Sequence, residues 1–288
     1  MATSERSGSD RPKWPRRGYV DGPFGQVHFQ MLGDGVPLLL LHQAPMTSGQ
    51  FDSVYELLAA RGVQAIGIDM PGFGMSDPTP STPTINDYAK VIPPVLDSLG
   101  LEHVAVLGHH TGALVAAEAA VAYPSRVSKL VMNGPLLANE EERARFFNGT
   151  HQWELRYCAR PRAEHMVELF EIRDRFAKGS VSPAKLSSYV VQALLGRGAF
   201  WYGHHAAYTY DLATQLPRIT QPTLILTNTG DMLYEHALRV RQLRPDFAFH
   251  ALVGGGVDIV DQQPEAWTDA VVSFLCGADS EHDRRRTA

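Results

Sequence analysis

The 288-residue chain is 44% apolar and 20% charged, ordinary for a globular protein long enough to bury a sizeable core. A net charge of −5 and a pI of about 6.2 exclude any electrostatic case for nucleic acid or an anionic membrane surface as partner. Two cysteines, Cys158 and Cys276, exclude a disulfide framework, lack CxxC or Cys/His metal spacing, and point to a reducing, cytoplasmic compartment.

In chain order, the polar stretch Met1 to Arg17 carries Arg11, Lys13, Arg16 and Arg17 without the apolar run of a secretory signal, and residues 1–16 are expected to form a disordered tail. Arg17 to Leu32 reads as a β-hairpin turning near Asp21-Gly22-Pro23. Apolar strands then alternate with helical segments, the pattern of a mostly parallel sheet covered on both faces. Val36 to His42 is a buried strand, and its Leu38–Leu41 run is far too short to span a bilayer. A helix over Gln50 to Arg61 and a strand over Val63 to Met70 follow, the latter broken by Pro71-Gly72-Phe73-Gly74. Ile85 to Leu99 has helical periodicity that Pro93-Pro94 is expected to kink or split.

The strand His103 to Leu107, a helix reaching Tyr123 and the strand Lys129 to Asn133 complete the first half. Between Gly134 and Pro217 the composition turns charged and aromatic, with helical segments Glu140–Phe147, Ala163–Phe176 and Pro183–Leu195. The sheet resumes at Thr223–Leu226, followed by a helix over Glu235 to Leu243, a strand over Phe247 to Val253 and a last helix over Pro264 to Leu275. Residues 278–288, with Asp283-Arg284-Arg285-Arg286, read as a solvated tail, and the sequon Asn148-Gly149-Thr150 as chance.

The most informative stretch is Gly108-His109-His110-Thr111-Gly112, set between an apolar strand and the small-residue helix Ala113-Leu114-Val115-Ala116-Ala117. This is the setting of the G-x-S-x-G nucleophile elbow, with His110 where the elbow presents a serine. Around it, Leu39-Leu40-Leu41-His42-Gln43-Ala44-Pro45 is similar to an H-G-x-P oxyanion-loop motif, and Asp69 to Asp77 to a D-x-P-G-x-G-x-S-D turn. Tyr123-Pro124-Ser125-Arg126-Val127, Pro222 to Leu226 followed by Asp231, and Gln263-Pro264-Glu265 continue the series. Taken in order, these motifs resemble the α/β-hydrolase fold superfamily from about Arg17 to Leu275.

The resemblance implies an α/β core formed by residues 17–134 and 218–277, with a helical lid, residues 135–217, inserted between the sixth and seventh main strands over the carboxyl edge of the sheet. It also implies where the chain departs from its relatives. The base histidine would lie seven positions before Pro264, at Val257, and no histidine lies between His250 and the C-terminal tail. Gln43 replaces the glycine of the oxyanion loop, while Asp231 stands where the catalytic acid belongs. Losing the serine or histidine of such a triad costs about a million-fold in turnover, and neither Ser48 nor Ser76 is placed to substitute. An acyl-serine mechanism is therefore not expected.

An imidazole reaches further from the backbone than a serine hydroxyl, and Val257 vacates the space between elbow and acid. His110 is thus expected to donate one ring N–H to Asp231 and turn its other nitrogen to the pocket as general base or nucleophile. The resemblance implies the backbone N–H groups of Ala44 and Thr111 as oxyanion donors. Gln43, Asn133, Trp201, His204, His205 and Val257 are candidate substrate contacts, although most clusters like Trp201 to His205, with Tyr208 and Tyr210, serve packing. His42 and His109 are expected to be structural and His250 a satisfied core residue. His204 and His205 lack a third ligand with metal spacing, so neither metal nor cofactor is expected.

The expected function is an enzyme acting on a small, largely apolar carbonyl compound by ester, lactone or carbon–carbon hydrolysis. Two alternatives remain open at this point: a lyase or isomerase using His110 for proton transfer, and an inactive small-molecule-binding pseudoenzyme. The partner is a small molecule rather than nucleic acid or membrane, and homo-oligomerisation stays open.

Overall fold

The structure, a computed structural model, describes residues 14–277. The expected tails therefore lie outside the described residues, save for residues 14–16. Eight strands form one sheet: β1 (Arg16–Gly22), β2 (Gly25–Leu32), β3 (Val36–Leu41), β4 (Val63–Ile68), β5 (Val104–His109), β6 (Val127–Asn133), β7 (Thr223–Asn228) and β8 (Ala248–Leu252). Their order is β1-β2-β4-β3-β5-β6-β7-β8. β1 and β2 form the antiparallel hairpin, starting one residue earlier than expected because Arg16 pairs with Met31. β2 is antiparallel to β4, and all later pairings are parallel.

The apolar runs of the central strands reflect burial on both faces. In β3, Leu39 and Leu41 join the core on one side of the sheet, while Leu38 and Leu40 join the core on the other. β5 divides in the same way, Val106 to one side and Leu107 to the other. β8 is an edge strand, and its outward residues meet solvent; His250, expected in the core, is exposed.

The expected helix from Gln50 begins instead as a 3₁₀ turn at Ser48–Phe51, before α1 (Tyr55–Ala60). The stretch around Pro93-Pro94 is split into α2 (Ile85–Ala89) and α3 (Ile92–Ser98), with the prolines in the first turn of α3, where a missing N–H costs nothing. α4 (Thr111–Ala122) follows β5 directly.

β6 and β7 are sheet neighbours, so the chain between them leaves the carboxyl end of one strand and returns to the start of the next. This excursion is helical: α5 (Glu140–Phe146), a π-turn at Phe147–His151, α6 (Gln152–Leu155), α7 (Glu164–Ala177), α8 (Pro183–Leu194), α9 (Tyr202–Thr209) and α10 (Leu212–Gln215). The chain ends with α11 (Tyr234–Leu243), α12 (Ile259–Gln262) and α13 (Pro264–Cys276). Among the described residues no helix is long and apolar enough to cross a membrane.

Candidate active site

The site is built at the junction of β5 and α4, where two glycines permit a turn that other residues would block. An added Cβ at Gly108 would lie 1.9 Å from the Gly112 carbonyl oxygen, and one at Gly112 would lie 2.1 Å from that of Leu41. The helix therefore starts close against the strand ends, and the residue between takes up the bend. His110 sits there at φ 49 and ψ −109, a conformation that costs an L-residue about 1–3 kcal/mol. Its N–H donates to the Asn133 carbonyl at 2.9 Å, which pins the turn to the end of β6.

From this position the His110 ring reaches Asp231, in the turn after β7. Nε2 donates to Asp231 Oδ2 at 2.8 Å. The second carboxylate oxygen accepts from the Leu233 N–H at 2.9 Å. Burial works to raise the Asp231 carboxyl, but the His110 charge and hydrogen bond, with the Leu233 N–H, outweigh it and hold it below the ordinary value. Because an ionised carboxylate only accepts, the shared proton sits on Nε2, and in its neutral form the ring presents the lone pair of Nδ1. Nδ1 has no hydrogen-bond partner among the described residues, and the ring is 11% exposed, toward a cavity it helps to line. Gly134 makes room for the pair: a Cβ there would lie 2.6 Å from His110 Cδ2 and 2.9 Å from Asp231 Oδ2.

The cavity measures about 190 Å³ and is mostly apolar, with Met46, Leu136, Leu169 and Val257 among its walls. Ala44 and Thr111 line it as well, and neither backbone N–H has a hydrogen-bond partner among the described residues. Thr111 opens α4, so its N–H is one that no helix can satisfy internally. The loop carrying Ala44 is held from beneath. Gln43 N–H donates to Gln50 Oε1 at 2.8 Å, and the same Gln50 side chain contacts His109 Nδ1. Burial drives His109 well below the ordinary histidine value, helped by His110 beside it, so it stays neutral. His42 accepts from the Met70 N–H at 2.9 Å and donates to the Gln43 carbonyl at 2.8 Å. Both histidines thus serve the loop.

The structure sorts the remaining candidates. Gln43, His204 and Val257 line the cavity with His110. Asn133 does not: it is fully buried behind the turn, where its Oδ1 accepts from the Trp267 indole at 2.7 Å. Trp201, the N-cap of α9, and His205, one turn further on, are also absent from the wall and meet His151 instead. Two charged residues on the wall carried no motif in the sequence. Arg173 on α7 pairs with Asp258, next to Val257, and stacks over Tyr189 at 4.7 Å. Burial raises the Asp258 carboxyl, Arg173 opposing. Glu154 on α6 meets His204 from α9 at 2.6 Å. Only tertiary packing brings these partners together.

Among the described residues, His109, His110 and Asp231 place one ligand atom each within 4.8 Å of one another, as a metal ion would require. His110 and Asp231 of this group already share a 2.8 Å hydrogen bond.

The sequence model of the alpha/beta hydrolase fold family matches residues 36–257. A 2-hydroxy-6-oxononadienedioate/2-hydroxy-6-oxononatrienedioate hydrolase from Pseudomonas putida is 34% identical over 139 residues, 44% of this chain and 49% of that protein. A protein of the same name from a Pseudomonas species is 24% identical over 274 residues, 87% of this chain and 92% of its own length. The chain thus matches only about half of the first relative. Among solved structures, a bromoperoxidase from Bacillus anthracis superimposes with a TM-score of 0.77 at 18% identity, covering 90% of this chain and 99% of that one.

Proposed function

Since this chain belongs to the alpha/beta hydrolase fold family, we propose that it is a cofactor-independent enzyme that hydrolyses a small, largely apolar carbonyl compound through His110. The substrate bond is that of an ester, a lactone or a carbon–carbon link beside a carbonyl. The observation that carries this reading is the 2.8 Å hydrogen bond between His110 and Asp231, which leaves Nδ1 open to the cavity. In the family the elbow position belongs to a serine; here an imidazole stands there, and Val257 leaves no base histidine beside it.

In the proposed reaction, Nδ1 takes a proton from water as the water oxygen attacks the substrate carbonyl. The imidazolium is stabilised by Asp231, which stays ionised. The negative charge on the carbonyl oxygen is received by the N–H groups of Ala44 and Thr111, donors worth about 2.7–4 kcal/mol each where such groups have been removed. Collapse of the tetrahedral adduct breaks the bond to the leaving group, which takes the proton back from the ring. Residues 135–217 act as a lid over residues 17–134 and 218–277, excluding bulk water. The relatives named as 2-hydroxy-6-oxononadienedioate hydrolases support carbon–carbon hydrolysis within this range.

The test is turnover on a panel of p-nitrophenyl acetate, small lactones and aryl β-diketones, with a fluorophosphonate probe in parallel. Hydrolysis without labelling is expected. Specific modification of a serine removes the histidine mechanism. Tight binding of panel members without turnover by the wild type makes the protein a receptor instead.

A further inference from the structure

A second chamber adjoins the cavity that His110 faces. It measures about 350 Å³, against about 190 Å³ for the first, and Phe73, Leu194 and Tyr157 are among its walls. Pro45, Ala193 and Phe200 border both spaces, so these three side chains stand between them. Ala193 offers only a methyl group there, and Pro45 a ring tied to its own backbone. The phenyl group of Phe200 is the one large side chain of the partition. Two aromatic residues hold it, one lining each space. Tyr157, on the outer chamber, is stacked on it with centroids 4.4 Å apart and planes at 23°. Trp153, on the inner wall, meets it edge-on at 6.0 Å and 74°. Both are tied in turn to α7: the Tyr157 hydroxyl donates to the His165 carbonyl at 2.9 Å, and the Trp153 indole N–H to Glu168 at 3.0 Å. The backbone carrying Phe200 is anchored as well. Gly198 N–H donates to the Gly72 carbonyl at 2.8 Å, Tyr202 N–H to the Ala199 carbonyl at 3.0 Å, and Arg197 pairs with Asp77 at 2.8 Å. Displacing the phenyl group therefore costs both ring contacts, with no loose loop to absorb the movement.

We infer that Phe200 is the length stop of the substrate site, ending the cavity where a longer apolar chain would otherwise run on into the second chamber. Resting on the proposed carbonyl chemistry at His110, this makes the substrate short on the side of its carbonyl that meets Phe200. The partition is close to the chemistry: Pro45 follows Ala44, whose N–H is the proposed oxyanion donor, so the boundary begins one residue from where the carbonyl oxygen is received. The walls of the second chamber also define what it would admit once the stop is removed. Among the described residues no lysine, arginine, aspartate or glutamate lines it, so a charged tail finds no fixed counter-charge there. An alkyl chain suits it, each added methylene gaining affinity by leaving water.

The experiment is calorimetric binding of 2-pentanone and 2-nonanone to the full chain, with alkylation of Cys158 by iodoacetamide followed by peptide mass spectrometry. Cys158 is exposed and lines the second chamber, so it reports whether a ligand has reached that space. Phe200→Ala is expected to raise the affinity for 2-nonanone, relative to that for 2-pentanone, at least five-fold over the wild-type ratio. Saturating 2-nonanone should then slow Cys158 alkylation at least five-fold in the variant and less than two-fold in the wild type. Leu169→Ala, which enlarges the inner cavity at a wall that does not border the second chamber, should leave Cys158 unprotected. A smaller change in the affinity ratio, protection of Cys158 already in the wild type, protection in Leu169→Ala, or none in Phe200→Ala overturns the stop. Phe200→Leu is expected to move both readouts in the same direction and decides the matter if the alanine variant does not fold. Neither readout involves turnover, and both effects should persist in the double variant with His110→Ala. If His110→Ala alone keeps turnover, the His110 mechanism fails while the stop stands, so the two failures are separable.

Discussion

The two imidazole–carboxylate pairs on the cavity wall are held in different ways. His110 and Asp231 sit beyond the ends of two strands separated by β6: one at the β5–α4 turn, the other in the turn after β7. Main-chain geometry places them, through the Gly108 and Gly112 contacts and the His110 N–H bond to Asn133. Glu154 and His204 stand on short helices of the segment between β6 and β7, and only packing of α6 against α9 and the π-turn sets their separation. A pair built on sheet ends is rigid by construction, whereas a pair built on a helical excursion moves with that excursion. Reaction chemistry tolerates little misplacement, which the first pair meets better than the second.

The largest expected effect breaks the first pair. His110→Ala lowers turnover on the responsive ester or diketone at least a hundred-fold while the far-UV circular dichroism stays unchanged; undiminished turnover removes His110 from the mechanism. Gly134→Ala leaves both partners present but drives a Cβ against the His110 ring and Asp231. It should cost at least ten-fold in turnover and about 1–3 kcal/mol in stability, since φ at this position is +60. Activity equal to wild type in a crystal structure with the pair displaced would show that its geometry is not what matters.

Asp231→Asn comes next. Because the carboxyl is held below its ordinary value, its contribution is fully present above the unfolded value of 3.8 and is lost as the pH falls through the lower folded value. The gap in urea stability between wild type and variant, about 1–3 kcal/mol at pH 7, should narrow in acid, and turnover should drop with an altered pH profile. The second pair has the opposite sign. His204 is raised by Glu154, so its contribution is full below 6.5 and is lost as the pH rises through the folded value. The difference in melting temperature between wild type and His204→Phe should therefore shrink from pH 6 to pH 9; a constant difference would mean that packing alone supports the ring.

The smallest effect compares two helix caps. Thr84 caps α2 in the core and Asn139 caps α5 in the excursion, each in a reciprocal capping box. Either alanine variant should cost about 1 kcal/mol. Hydrogen exchange should report Thr84→Ala across the core and Asn139→Ala mainly in α5. Equal spread of both would show that the excursion unfolds only with the sheet.

The core strands were legible because central parallel strands bury both faces and so read as unbroken apolar runs, as in Leu38–Leu41 and Val104–Leu107. His250 shows the limit of that reasoning: a strand pattern does not reveal which strand lies at the edge, and sheet order exposed it. The short helices α6, α9 and α10 were missed because one or two turns carry too little periodicity to register. In the site, His110 and Asp231 were found from local motifs, one in a glycine-flanked turn and one after a recognisable strand. Asn133, Trp201 and His205 were placed on the wall by proximity in sequence, and burial and helical phase put them elsewhere.

By itself the amino-acid sequence determined the alternation of strands and helices, the sharp turn between Gly108 and Gly112, and the identity of the imidazole at its apex, because each depends on residues within a few positions of one another. Only the tertiary structure decided that His110 reaches Asp231 across 121 positions of chain, that Arg173 meets Asp258, and that Glu154 and His204 meet on the cavity wall. Those pairings depend on how side chains distant in sequence pack to exclude water, and no local pattern encodes that distance.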